Sequence, residues 1–379
     1  MSANRGTLIR RFSTSRLGPV ALGPVALGVG VIVIAACLPL LNLSIPGVLP
    51  GATYTPGTLQ LLAYAMLIAA LALSYHLLFG VAGMLSFGHA LFFAAGAYGL
   101  GIILKQSTPH WMPAALVFPV AIGVTLLLGL VLAGIVGSIS LRVGGISFAM
   151  VTLAFAQAGS IVVDRNPGGQ TGGTEGLSLP TDHVPEIFFG VVNTKYLYWL
   201  SLAILVLVYL VVFWIERSRA GHSAKAVREN ELRARVIGVR PYFVRFVIFV
   251  AASVLAVLCG MVFILLQSGA SSGTASSDFT LSLLVIVVLG GIGYRWGAIV
   301  GGIVYTLLDQ RLNALAGSAF VTGLPPVFRV PLSEPLFMLG ALFIIVVMFL
   351  PGGIAGVVGH RNRRAPQVLV DSDTEGTEP

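Results

Sequence analysis

The sequence predicts an all-α polytopic membrane protein of about ten transmembrane helices, several of them interrupted by glycine. Three observations lead there. Across 379 residues, 56% are hydrophobic and only 9% are charged, whereas a soluble globular chain carries about 25% charged residues. Apolar runs recur along the chain, and about 20 such residues in a helix cross a bilayer's hydrocarbon core. The basic residues fall in alternate connections, as they do where a membrane sorts loops by positive charge.

The runs lie near 24–41, 58–79, 84–104, 113–138, 145–163, 195–215, 243–267, 281–294, 296–313 and 335–350. Residues 1–18 form a basic stretch with Arg5, Arg10, Arg11 and Arg16, and the first run reads as a signal anchor. Starting inside, ten crossings give seventeen Lys and Arg to inner segments and five (Lys105, Arg165, Lys195, Arg311, Arg329) to outer ones. The acids split seven and seven, so the bias lies in the basic residues alone, as the rule requires. The longest outer connection, Asp164–Thr194, holds Pro167-Gly168-Gly169 and Thr171-Gly172-Gly173-Thr174-Glu175-Gly176. Glycines this dense imply turns or close backbone approach. We divide the chain into the basic N-terminus, a transmembrane domain over residues 19–357, and a tail over 358–379. The tail runs from basic to acidic and has the composition of a disordered segment. Both ends are expected in the cytoplasm.

Residues 216–245 separate two apolar runs and are too charged to enter lipid. They carry eight Lys and Arg, which places them on the cytoplasmic side. A short helix is expected there, capped by Ser223 and ended by Gly238 in left-handed conformation, with Pro241 beyond. Glu229 precedes Arg233, and Glu231 precedes Arg235, in the favourable i,i+4 order. Val227, Ala234 and Ile237 would form one apolar stripe. Such a helix suits docking onto a cytoplasmic partner, and it equally suits a solvated connector. The residues alone leave both readings open.

The net charge of +8 is no nucleic-acid signal, because the positive residues cluster at the ends of apolar runs. Cys37 and Cys259 lie inside such runs, so no disulfide framework is implied. None of the three lysines sits in a Gly-Lys-Ser/Thr phosphate loop, and HExxH, Cys-x-x-Cys and dinucleotide motifs are absent. No metal site or enzyme activity is expected, and ATP should be hydrolysed elsewhere. Polar residues within the runs are few. Gly80–Gly88, with Gly83, Ser86 and Gly88, interrupts two runs just before His89, and broken backbone at membrane depth survives only against protein or a wet cavity. These residues, with Thr152 and Gln157, are the candidate pathway elements, although His89 also fits a packing role. Gly290-Gly291-Ile292-Gly293 repeats the interruption further on, where it serves equally as a helix contact.

Taken together, five segments resemble the permease subunit of a branched-chain amino acid ABC importer of the LivM type, over about residues 58–350. They are Gly83–Ala90, Phe148–Ala156, Thr171-Gly172-Gly173, Arg228-Glu229-Asn230-Glu231 with Ala234 and Gly238, and Gly290–Gly293 with Trp296-Gly297. The central loop is similar to the element by which such permeases dock on an ATP-binding subunit. Ala234 and Gly238 match it, while Leu232 stands where the strict pattern has Glu. Val227, Arg228, Glu229, Glu231, Ala234, Ile237 and Gly238 would then make the coupling loop. The resemblance implies a second permease chain, two ATPases that hold ATP and Mg, an extracytoplasmic binding protein, and a bacterial inner membrane. No cofactor is implied for this chain. A urea or short-chain amide permease would look similar. An ion-coupled secondary carrier would need a buried acid at the midplane, and the sequence shows none; a membrane scaffold would not need interrupted spans. A cysteine placed in Thr171–Gly176 should react with an impermeant thiol reagent in intact cells, and cysteines at Ala224 or Ala365 should not. Labelling at Ala224 from outside would overturn the ten-span alternation.

Overall fold

In the computed structural model, the described residues are 30, 32–41, 51–106, 113–188, 190, 193–317, 333–349 and 352–360. The basic N-terminus, Arg329 and the chain beyond His360 lie outside them, with the expectations made for those parts. The main helices are α1 (Pro56–His76), α2 (His89–Lys105), α3 (Ala114–Ser140), α4 (Ile146–Arg165), α5 (Thr194–Arg217), α6 (Arg219–Glu229), α7 (Glu231–Val236), α8 (Pro241–Gln267), α9 (Ser277–Gly290), α10 (Arg295–Ala316), α11 (Pro335–Phe349) and α12 (Gly353–His360). A π-helical turn, Leu77–Val81, extends α1. The helix α12 runs three residues into the segment expected to be an unstructured tail.

Every apolar run from residue 58 onward has a helix in its place, but the spans are not uniform. Among the described residues, five helices are long and apolar enough to cross a membrane: α1 with its π turn, α3, α4, α5 and α8. The helix α2 has only 17 residues, and α9 and α10 meet at a bend of 119°. That bend follows from Gly291 and Gly293, which take φ of 112° and 101°, values that side chains on other residues resist. The two arms fold back on one another, and a Cβ on Gly290 would land on the carbonyl of Gly297.

Burial sorts the spans into an inner and an outer set. Most of α1 and α8 is buried, 89% and 72% of their apolar windows, against 28–33% for α3, α4 and α5. A helix that is apolar all round is buried or faces lipid. Here the small residues decide which: Ala63, Ala65, Ala69, Ala70 and Ala72 let neighbours approach α1 closely. Where α10 crosses it, a Cβ on Gly302 would come 2.6 Å from the Ala69 Cα. The crossing of α2 and α8 is as tight, since a Cβ on Gly260 would strike the Phe93 carbonyl. Aromatic rings fill the space beside it, with Phe93 5.1 Å from Phe263 and from Phe279 between centroids.

The connections gather at two ends. At one, Tyr242 at the start of α8 donates to the Ser138 carbonyl near the end of α3 at 3.2 Å, and Arg295 meets Glu216 at 3.3 Å. We call it the basic end, because the 216–245 loop and Arg295 lie there. At the opposite end Lys105 donates to the Gly169 carbonyl at 3.1 Å, and Leu177–Ser178 pairs antiparallel with Gly269–Ala270. The alternation read from charge therefore holds at these joints. Substituting Gly260 by Val should destabilise the solubilised protein by about 1–3 kcal/mol or prevent folding, since overpacking against backbone cannot relax. Gly123→Ala, at a site with nothing within 4 Å, should leave the melting temperature unchanged. Equal melting curves for the two variants would contradict the tight crossing.

Candidate functional site

The loop at the basic end is two helices rather than one. Ser218, not Ser223, caps the first, accepting from Gly221 N at 3.3 Å. Asn230 leaves helical conformation (φ −157°) and caps the second by accepting from Arg233 N at 3.0 Å. This break parts Glu229 from Arg233, so of the two expected ion pairs only Glu231–Arg235 forms. Glu231 also binds Arg245 of α8 at 2.9 Å. Burial would raise its pKa, but the hydrogen bond from Arg235 and the charge of Arg245 prevail and hold the carboxyl below its ordinary value. Gly238 ends the pair with φ 85°, as expected.

The apolar stripe divides between two faces. Val227 and Ala234 are each 2% exposed and pack within this chain, so neither can be a docking contact. The short helix α7 spends Ala234 on anchoring, and its other side presents Leu232, Val236 and Ile237 at 74%, 87% and 74% exposure. The reading from spacing missed Leu232 and Val236, because the break at Asn230 rotates α7 relative to α6. Arg233, Arg235 and Arg240 are exposed around them.

The inward side of α6 is fastened to the interrupted span. Arg228 donates from Nη1 to the Gly80 carbonyl, within the π turn. Gly83 has φ 68°, and a Cβ there would come 2.7 Å from the Arg228 Cγ. Next to this contact, Glu216 receives His76 of α1 at 3.3 Å, Lys225 of α6 at 3.7 Å and Arg295 of α10 at 3.3 Å. One carboxylate thus joins four helices at this end.

Beyond Gly83 the chain turns back, and its broken backbone is met by side chains. Tyr75 donates to the Ser86 carbonyl at 3.0 Å, and Thr152 Oγ1 accepts from Phe87 N at 3.1 Å while donating to the Ala149 carbonyl. A Cβ on Gly88 would crowd the Thr152 carbonyl at 2.9 Å. His89 is fully buried, with Nε2 2.8 Å from the Ser74 hydroxyl and its ring 5.3 Å from Tyr75. Ser86, Gly88, His89 and Thr152 therefore form one packed knot, with His89 buried inside it. Gln157 stands apart: it is exposed, and its amide donates to Ser277 Oγ at 2.8 Å.

A further interruption, beside the one expected at Gly290–Gly293, was not foreseen. Residues 268–280 read as an outer loop, yet they descend between helices. Ala270 lies against Tyr98, whose hydroxyl donates to its carbonyl at 3.2 Å. Thr280 Oγ1 accepts from Ala90 N at 3.0 Å, at the very start of α2. Ala90 is about 22 Å along the helix from Lys105, at 1.5 Å per residue. Asp278 thus lies level with the half of α2 remote from Lys105, not beside Lys105 where an outer loop would put it. The small polar composition of Ser268–Ser277 hides this descent, because it looks like an ordinary loop.

These features define a multi-pass membrane protein whose interrupted spans meet a surface helix pair, the layout of a membrane permease. The family model for the permease component of branched-chain amino acid transport systems matches residues 57–356, and the chain belongs to that family. The LivM permease of the high-affinity branched-chain amino acid system of Escherichia coli is 24% identical over 323 residues, covering 79% of this chain and 70% of that protein. The permease BraD of Pseudomonas aeruginosa is 26% identical over 305 residues, 76% of this chain and 91% of that one. A solved structure, PsaBC from Streptococcus pneumoniae in complex with Fab, aligns with 80% of this chain and 94% of its own at 14% identity. Its TM-score of 0.39 is too low to support an argument.

Thr152→Val keeps the shape of the side chain but leaves the Phe87 N–H without its acceptor. It should cost about 1–3 kcal/mol, the usual penalty for an orphaned buried donor. Thermal unfolding of the solubilised protein should show the loss, and an unchanged melting temperature would mean that the knot is hydrated.

Proposed function

We propose that this chain is the permease subunit of an ABC importer for branched-chain or related amino acids in a bacterial inner membrane. It forms half of the translocation pathway with a second permease, receives substrate from an extracytoplasmic binding protein, and takes its drive from two cytoplasmic ATPases. The basic end faces the cytoplasm, in keeping with its arginines.

The observation that carries this reading is the double attachment of the α6–α7 pair. Its outer side presents Leu232, Val236 and Ile237 ringed by arginines, and its inner side is bonded through Arg228 to the backbone of the interrupted span. Apolar residues in a basic ring suit a groove with an acidic rim. A push on that surface would be delivered to Gly80 and Gly83 without passing through a flexible joint.

An ion-driven carrier is the second reading, favoured by one observation, the acid Asp278 level with the half of α2 remote from Lys105. Uptake by this chain alone in liposomes under a proton or sodium gradient would establish it.

Val236→Asp and Leu232→Asp should abolish co-purification of the ATPase subunits and ATP-driven uptake, because a charge buried against a partner goes unpaired. Membrane insertion and pairing with the second permease should persist. Ala234→Asp should instead lower the stability of the permease itself, since Ala234 is buried within the chain. Arg219→Ala should do little, a single exposed charge being worth under about 1 kcal/mol. Retention of the ATPases by both Leu232→Asp and Val236→Asp would show that this surface is a solvated connector.

A further inference from the structure

We propose that Asp278, with Gln157 and Ser277 beside it, binds the ammonium group of the transported amino acid midway across the membrane. This rests on the permease reading above and assigns a substrate contact within it.

The argument begins with depth. Gln157 is about 16 Å along α4 from Ile146 and about 12 Å from Arg165, so it lies near the middle of its span. Its amide reaches Ser277 Oγ, which fixes the start of α9 at the same level. Two further contacts agree. Phe279 meets Phe93 at 5.1 Å, and Thr280 accepts from Ala90, both in the deeper half of α2. Asp278 lies between Ser277 and Phe279 and so shares their depth.

The next step is exposure. Asp278 and Gln157 are exposed on this chain, and among the described residues Asp278 enters no ion pair. A carboxylate facing hydrocarbon at mid-membrane is among the costliest placements a side chain can take. This surface therefore faces the second permease and the pathway between the two chains, not lipid. Asp278 lies in the first turn of α9, where an acid favours the helix dipole, but that role requires no exposure and does not account for the exposed amide on a different helix.

Chemistry then selects the ligand. A carboxylate, an amide carbonyl and a hydroxyl oxygen are all acceptors, and the Gln157 Nε2 is already engaged with Ser277. Three acceptors suit a group that only donates, and an ammonium is one. Met150, 60% exposed and two turns below Gln157, and Leu281, 44% exposed and one turn beyond Ser277, give an apolar flank for an aliphatic side chain. A zwitterionic amino acid carries both parts.

The test uses the assembled transporter in liposomes with its binding protein, and leucine as the probe. Asp278→Asn should lower ATP-driven leucine uptake at least about tenfold, the usual effect of losing a charged hydrogen-bond partner. Asp278→Glu should recover part of it, and both should still co-purify with the ATPases. Independently of transport, the Asp278→Cys variant should react with a water-soluble cationic thiol reagent, and saturating leucine with its binding protein and ATP should slow that reaction. Wild-type uptake by Asp278→Asn, or no reaction at Asp278→Cys, overturns the proposal. If the wild-type complex takes up no leucine with ATP, the importer reading fails, while the thiol reaction still decides whether position 278 faces water.

Discussion

Backbone that leaves helical geometry inside a membrane must find its hydrogen bonds within the protein, and this requirement governs the whole arrangement. The chain breaks twice at depth, once from each end, at Ala82–Gly88 and at Ser268–Ser276. Tyr75, Thr152, Tyr98 and Thr280 supply the missing partners, and each comes from a helix distant in sequence from the break it serves, apart from Tyr75. The breaks can exist only because α1, α2, α4, α8 and α9 are assembled around them. The glycines and alanines that bring these helices close are thus a condition for the interruptions, not merely an aid to packing.

The same dependence explains how the surface at the basic end can communicate with the interior. Arg228 uses its guanidinium on a carbonyl of the π turn, so the helix pair is joined to the one part of α1 whose hydrogen bonding is already irregular. Glu216 joins His76, Lys225 and Arg295 to one carboxylate and makes α1, α5, α6 and α10 move together. A rigid surface connected to an irregular turn is a lever on that turn.

The general plan was legible from the sequence because it rests on strong, additive signals. Long apolar runs and the seventeen-to-five sorting of basic residues are each averages over many side chains, and local exceptions do not disturb them. The break before His89 was visible because Gly83, Ser86 and Gly88 stand out between apolar neighbours. What could not be read was anything set by a single backbone rotation. The break at Asn230 turned the expected single helix into two and left Leu232 and Val236 facing outward while Ala234 faces inward, and the first helix starts from Ser218 instead of Ser223. Likewise the segment 268–280 has the composition of an outer loop, and only the contacts of Ala270 with Tyr98 and of Thr280 with Ala90 show that it descends. The direction of a polar segment is decided by tertiary contacts that hydropathy does not record.

The hairpin of α9 and α10 has a bearing on how the protein is made. Its apex is covered by the start of α12: Gly291 faces the Gly352 carbonyl and Ala355, and Gly353, with φ 66°, lies almost upon Gly291. That cover is synthesised roughly sixty residues after the apex emerges. Until α11 has crossed and α12 has been delivered, the two arms must wait with their turn unsealed. Completion of the hairpin is therefore tied to completion of the chain, and a chain stopped before residue 352 would present an open apex.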